Sequence, residues 1–80
     1  MIFKTKGVCS SAIEFELDDE KKIHNVKFQG GCSGNTQGVA KLVEGMDAGE
    51  VIRRLDGIRC GHRPTSCPDQ LSRAVKEALQ

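Results

Sequence analysis

The stretch IEFELDDEKKIHNVKF at residues 13–28 decides the fold of this chain, because apolar and polar residues alternate on both sides of a charged turn. Single polar residues separate the apolar ones, which is the period-two pattern of a strand with one buried face. The residues expected to face inward are Ile13, Phe15, Leu17, Val26 and Phe28. The pattern predicts a β-hairpin, and residues 2–6 are expected to supply a third strand.

Apolar residues at helical spacing follow the hairpin and predict two helices in the middle of the chain. The first is expected to end at Gly45. The second is expected to start at a capping box formed by Asp47 and Glu50 and to end at Gly57. The apolar residues of these two helices are Val39, Leu42, Val43, Met46, Val51, Ile52 and Leu55.

A third helix is predicted at the C-terminal end of the sequence. Ser66 can cap it, Pro68 suits its first turn, and Asp69 complements the helix dipole. Its apolar stripe is Leu71, Ala74, Val75, Ala78 and Leu79. Strands that precede helices indicate an α+β fold. We therefore expect one domain over residues 1–80, with a hairpin or three-stranded antiparallel sheet and three helices packed on one of its faces.

The charge balance of the chain argues against nucleic acid or an anionic membrane as a partner. Twelve basic and eleven acidic residues give a net charge of +1, and the three aromatic residues are all Phe. The sequence contains neither a secretory signal nor a stretch long enough to span a bilayer. We expect a cytoplasmic protein, whose thiols are kept reduced.

The chain contains four cysteines, which we expect to converge on one site: Cys9, Cys32, Cys60 and Cys67. Cys32 and Cys67 stand at predicted helix starts, where unpaired N–H groups and the helix dipole favour an anion such as a thiolate. Cys9 has the parity of the inward residues of the first hairpin strand. Cys60 lies in a glycine-flanked loop seven residues before Cys67.

Four thiolates could close a tetrahedral zinc site, or three could hold an iron–sulfur centre or a metal with one open position. The spacing contains no paired C-x-x-C, so it does not choose between zinc and iron–sulfur. His62 is an alternative ligand because imidazole suits both metals. Two other interpretations stay open, namely buried cysteines that serve only packing and disulfide-bonded cysteines.

Two runs resemble the motifs of the TSCPD domain family: Thr65-Ser66-Cys67-Pro68-Asp69 and Gly30-Gly31-Cys32-Ser33-Gly34-Asn35. The resemblance to this family covers nearly the whole chain. That family also supplies a C-terminal domain of adenosylcobalamin-dependent ribonucleotide reductases. The resemblance implies a link with nucleotide reduction and DNA synthesis, and a ribonucleotide reductase as a partner. Eighty residues cannot hold the reductase barrel, so independent catalysis is not expected. A second hypothesis is thiol–disulfide exchange by Cys60 and Cys67.

The order of three cysteines is more distantly similar to that of iron–sulfur cluster scaffold proteins. Cys9, Cys32 and Cys67 match a cysteine before a hairpin, one before a helix and one that opens the last helix. The chain has Ser10-Ser11 where scaffolds have Gly-Asp, and Ser66 where they have histidine. The resemblance therefore implies stable metal binding, with Cys60 as fourth ligand, more than cluster transfer. A metal or cluster delivery protein is the corresponding partner.

Overall fold

The computed structural model describes residues 2–5, 10–30, 33–59, 61 and 65–79, and in this part it confirms the α+β class. A three-stranded antiparallel sheet in the order β1-β2-β3 precedes three helices. The elements are β1 (Ile2–Lys4), β2 (Ser10–Leu17), β3 (Ile23–Gly30), α1 (Ser33–Val43), α2 (Ala48–Leu55) and α3 (Cys67–Leu79). The predicted third strand is thus present as β1.

The hairpin of β2 and β3 closes through its charged turn, as the sequence predicts. The Asp18 carboxylate accepts hydrogen bonds from the backbone N–H groups of Glu20 and Lys22, both at 2.9 Å. Lys21, between those two donors, has a positive φ of 63°. An aspartate that bonds the backbone two residues on is a common turn device, because its short side chain reaches those N–H groups.

A β-bulge at Asn25 changes the register between β2 and β3. The pairs on its two sides are Glu14 with Lys27 and Glu16 with His24. Asn25 itself has a φ of 57°, in a region that asparagine tolerates better than most residues. Plain alternation would place Ile23 and Val26 on opposite faces. The extra residue lets both face the core, and their side chains are 0% and 7% exposed.

A second register shift lies near the start of β2, between Ser10 and Ala12. Ala12 and Ile13 are consecutive, yet both are buried. Strict alternation of buried and exposed residues is therefore broken at Ala12. The predicted inward direction of Cys9 stays a prediction, because Cys9 lies outside the described residues.

The helix α1 is shorter than its apolar spacing predicts. It ends at Val43, so Met46 packs against the core from the connection to α2 and not from the helix. Leu42 was expected on the apolar stripe, and that expectation is wrong because its side chain is 78% exposed. Adjacent helical residues point about 100° apart, so buried Val43 leaves Leu42 on another side. Gly45, with a φ of 77°, follows the helix end as expected.

The start of α2 confirms one half of the predicted capping box. The Asp47 carboxylate accepts a hydrogen bond from the Gly49 N–H at 3.0 Å. Glu50 was expected to reach back toward Asp47, but its carboxylate pairs with Arg53 and Arg54. Both arginines lie one turn further along the same helix, where a charged partner is within easy reach.

One apolar cluster joins the sheet and the helices. α1 packs on β3, α3 packs on β2, and α2 and α3 pack against each other. On α3 the stripe is buried as far as Val75, while Leu79 is 42% exposed, so the predicted stripe ends earlier than expected. The buried members of the core are Ile13, Phe15, Ile23, Val26, Val43, Ala48, Val51, Leu71, Ala74 and Val75.

Within the described ranges, none of the helices combines the length and the apolar character needed to cross a membrane.

Candidate functional site

Cys67 is the first residue of α3, and its side chain is partly exposed. Ser66 caps the helix as predicted, because its Oγ accepts a hydrogen bond from the Asp69 N–H at 3.2 Å. The Ser66 carbonyl accepts the first bond of the helix, from the Gln70 N–H at 2.8 Å. This local capping places the Cys67 thiol at the positive end of a 13-residue helix.

Asp69 does more than complement the helix dipole, which was the only role predicted for it. Its side chain is 2% exposed. One carboxylate oxygen accepts from the Gly57 N–H at 2.7 Å, just after the end of α2. The other accepts from the Thr65 hydroxyl at 2.5 Å and lies 3.0 Å from the Arg73 Nε. Asp69 therefore ties the end of α2 to the start of α3.

The Asp69 carboxylate stays charged in this buried position. Burial alone would raise the pKa of Asp69. Hydrogen bonds from the Thr65 hydroxyl and the Gly57 N–H, together with the Arg73 guanidinium, outweigh burial and leave the pKa below its ordinary value. The network thus favours the ionised form, which is the form that can accept all of these bonds.

Two further buried side chains complete the contacts around Asp69. The Thr65 hydroxyl accepts a hydrogen bond from the Gln70 Nε2 at 2.9 Å while it donates to Asp69. Ser66 donates its hydroxyl proton to the Ile58 carbonyl at 2.7 Å. In the part of the chain that the structure describes, every buried side-chain nitrogen or oxygen has a hydrogen-bond partner. A buried polar network is stabilising only when it is satisfied in this way.

A more exposed contact supports the same connection. Asp56 follows the last residue of α2 and accepts from the Ser72 hydroxyl at 3.3 Å and from the Lys76 Nζ at 2.8 Å. The hydrogen bond from Lys76 lowers the pKa of Asp56. We call this set of contacts the α2–α3 junction; its residues are Asp56, Gly57, Ile58, Thr65, Ser66, Asp69, Gln70, Ser72, Arg73 and Lys76.

The α2–α3 junction holds the two ends of the segment at residues 59–64. Ile58 precedes this segment, and its carbonyl is bonded to Ser66, the residue before Cys67. Cys60 and His62 lie within the segment and outside the described residues, as do Cys9 and Cys32. Of the predicted ligands, the structure therefore places only Cys67. Cys32 directly precedes α1 in the sequence, since α1 begins at Ser33.

No three or more His, Cys, Asp or Glu side chains form a metal-binding group among residues 2–5, 10–30, 33–59, 61 and 65–79. Three of the four predicted cysteine ligands are outside those ranges. The expected four-cysteine site therefore stays a prediction.

Sequence reasoning missed the anchoring roles of Thr65 and Asp69. A local signal was available, because hydroxyl and carboxylate residues flank a helix start in the run at residues 65–69. Their distant partner was not readable, since Gly57 lies twelve residues before Asp69. His24, to which the sequence analysis assigned no role, is partly exposed and lies between the carboxylates of Asp18 and Glu44.

The described part of the chain is a small α+β domain whose last helix presents a cysteine held by a buried polar network. The family model for the TSCPD domain matches residues 1–79. The chain therefore belongs to the TSCPD domain family. Searches of curated proteins and of solved structures returned no matching relative. The likeness to iron–sulfur scaffolds stays a resemblance in the order of the cysteines.

Proposed function

We propose that this TSCPD domain is a metal-binding module in which Cys9, Cys32, Cys60 and Cys67 hold Zn²⁺ or an iron–sulfur centre. The observation that supports it best is the placement of Cys67 at the first position of α3, fixed by a buried and fully bonded network. A metal ligand must be held in a defined direction by its surroundings. The Ser66 cap and the Asp69 anchor supply that direction.

Cys67 is the first residue of α3, a position that suits an anionic metal ligand. A thiolate is an anion, and the first turn of a helix has unbonded N–H groups and a positive partial charge. The Asp69 carboxylate does not act as a competing anion at this helix start, because its two oxygens accept hydrogen bonds from the Gly57 N–H and the Thr65 hydroxyl. Cys67 therefore lies where a sulfur ligand to a metal can be accommodated.

The α2–α3 junction also suits a loop that carries a second ligand. Cys60 follows Ile58 by two residues, and Ile58 is bonded to the residue before Cys67. Joined loop ends reduce the chain entropy that a metal must overcome when it draws Cys60 toward Cys67. His62, in the same segment, remains the alternative ligand. Such a donor set fits tetrahedral zinc or an iron–sulfur centre.

The proposed cellular location and the proposed partner of the protein both follow from metal binding by cysteine thiolates. Reduced thiolates are required, so we place the protein in the cytosol. A metal or cluster delivery protein is the partner that this function needs.

The test is the metal and inorganic sulfide content of the full chain, purified without oxygen and without metal-affinity tags. We expect about one zinc per chain without sulfide, or iron with sulfide. Cys67→Ser should lower the metal content and the unfolding temperature together, because metal binding contributes to folding in small domains. Arg59→Ser, an exposed control at the first position of the same segment, should change neither. Protein that contains no metal and no sulfide contradicts the proposal.

A second function is thiol–disulfide exchange in nucleotide reduction, supported by the same bond between Ser66 and Ile58. Cys60 and Cys67 would pass two electrons and two protons to a disulfide of a ribonucleotide reductase and become a disulfide themselves. A reduced metal-free chain that converts such a disulfide to two thiols, with loss of this reaction in Cys60→Ser, would favour it. Retained exchange after both cysteines are replaced by serine would exclude it.

A further inference from the structure

The imidazole of His24 lies between two carboxylates from different parts of the chain. Its Nδ1 is 2.5 Å from a carboxylate oxygen of Glu44, which follows α1. Its Nε2 is 2.8 Å from a carboxylate oxygen of Asp18, in the turn between β2 and β3. Both ring nitrogens therefore face groups that can only accept a hydrogen bond when ionised.

This arrangement requires a specific protonation state. A neutral imidazole has one N–H and one lone pair, so it can donate to only one of the two carboxylates. The other ring nitrogen would then place its lone pair against a negatively charged oxygen. Only the doubly protonated cation makes both bonds, and only the cation offsets the two negative charges.

Both carboxylates are held in place by their second oxygens. The Asp18 carboxylate accepts from two backbone N–H groups of the turn. The Glu44 carboxylate accepts from the Asn25 N–H at 2.9 Å, at the bulge of β3. Neither carboxylate can turn away from a neutral imidazole without losing a backbone bond. Repulsion between a neutral imidazole and a carboxylate would therefore weaken the backbone hydrogen bonds of the turn and of the bulge at Asn25.

These contacts lie at the place where the α1–α2 connection joins the sheet. The Ile23 N–H donates to the Met46 carbonyl at 2.9 Å, and the Gly45 N–H donates to the Ile23 carbonyl at 2.7 Å. The Ala48 N–H donates to the Lys21 carbonyl at 2.8 Å. His24 directly follows this paired segment. Its contacts with Asp18 and Glu44 therefore strengthen the attachment of the α1–α2 connection to the sheet.

The surroundings of His24 favour a positive charge. Glu16 is opposite His24 in the β2–β3 register and accepts a hydrogen bond from the Asn25 side chain at 3.1 Å. Lys41 on α1 lies near Glu44, and Lys22 pairs with Glu20. The carboxylates that contact the imidazole are those of Asp18 and Glu44.

We propose that His24 is a protonation-dependent clasp that joins the β2–β3 turn to the end of α1. It is closed while the imidazole carries both protons and opens when one is lost. We call Asp18, His24 and Glu44 the His24 clasp. The clasp is a pH-sensitive device within the fold, and it does not depend on metal binding by the cysteines.

The titration directions agree with this geometry. Hydrogen bonds to Asp18 and Glu44 raise the pKa of His24 above its ordinary value. A raised folded-state pKa means that the stabilisation is complete below about pH 6.5 and is lost as the pH rises through the raised value. A backbone bond from Lys22 lowers the pKa of Asp18, and one from Asn25 lowers that of Glu44. Their stabilisation is therefore lost at acid pH.

The test is an NMR titration of the full chain, in which the His24 ring signal is assigned by its disappearance in His24→Gln. We expect a His24 pKa above 6.5 in the wild type. We also expect a several-fold loss of hydrogen-exchange protection at the Asn25 amide as the pH passes through that value. The Asp56 amide, bonded to the Ile52 carbonyl away from the clasp, should keep its protection.

A variant that keeps the histidine separates the clasp from simple folding defects. Glu44→Gln should return the His24 pKa toward its ordinary value, while Glu50→Gln, which removes a carboxylate paired only on α2, should leave it unchanged. A wild-type His24 pKa at or below 6.5 overturns the proposal. So does Asn25 protection that stays constant across the titration.

Discussion

The α2–α3 junction and the His24 clasp both join two segments of the chain, the first in a buried environment and the second in an exposed one. In both, carboxylates accept backbone and side-chain hydrogen bonds and join two elements distant in sequence. Asp69 is 2% exposed, whereas the side chains of Asp18 and Glu44 are 39% and 46% exposed. Water competes weakly in the first case and strongly in the second. The buried junction is therefore expected to contribute more to the stability of the fold, while the exposed clasp is suited to respond to pH.

The largest effect is expected from Asp69→Asn. The substitution keeps the shape but removes the charge and places an amide N–H₂ against one of the two donors, the Gly57 N–H or the Thr65 hydroxyl. We expect a loss of about 3 kcal/mol in the free energy of unfolding, measured by urea denaturation at pH 7. Asp56→Asn, in the exposed part of the same junction, is the matched control and should cost much less.

The same variant should also change the acid response of the protein. Because the folded-state pKa of Asp69 is lowered, its contribution is present above the unfolded-state pKa and is lost as the pH falls through the folded value. The wild-type chain should therefore lose more stability than Asp69→Asn between about pH 5 and pH 2. Equal losses would mean that the buried carboxylate does not stabilise the fold through its charge.

An intermediate effect is expected from Ser66→Ala. This change removes the cap of α3 and the bond to the Ile58 carbonyl, and we expect a cost of about 1–2 kcal/mol by urea denaturation. Asp47→Ala removes the exposed cap of α2 and should cost about 0.5–1 kcal/mol. Equal losses in the free energy of unfolding would mean that burial does not increase the contribution of a helix cap to stability.

The smallest effect is expected from Asp18→Asn in the His24 clasp. The exposed ion pair with His24 is screened by salt, and the amide oxygen can keep part of the turn. We expect a smaller fall in unfolding temperature than for Asp69→Asn, and one that shrinks in 1 M salt. A fall that is independent of salt would indicate that the turn bonds, and not the charge of His24, determine the effect.

Local patterns in the sequence predicted the elements well and their details less well. The cap at Ser66 was predictable because all of its helical contacts lie within a few residues. The burial of Ile23 was not, since it depends on a bulge that changes which strand positions face the core. Leu42 was misassigned because spacing alone does not determine how far a helical stripe extends over the sheet.

In the candidate site, too, local sequence predicted one feature and failed to predict another. The placement of Cys67 at a helix start followed from the residues around it. The anchor that fixes this helix start did not, because Asp69 finds Gly57 across a loop. The predicted direction of Cys9 relied on unbroken alternation, which β2 does not keep between Ser10 and Ala12, and it stays a prediction.

The α+β class, the order of strands and helices and the position of Cys67 can be predicted from the residues, because alternation, helical spacing and capping act within a few residues. The anchoring role of Asp69 and the position of His24 between two carboxylates became evident only in the folded chain. Gly57 lies twelve residues from Asp69, and Glu44 lies twenty residues from His24 along the chain. Burial and charge at such sites depend on which segments the folded core brings together, and short-range sequence patterns do not encode that.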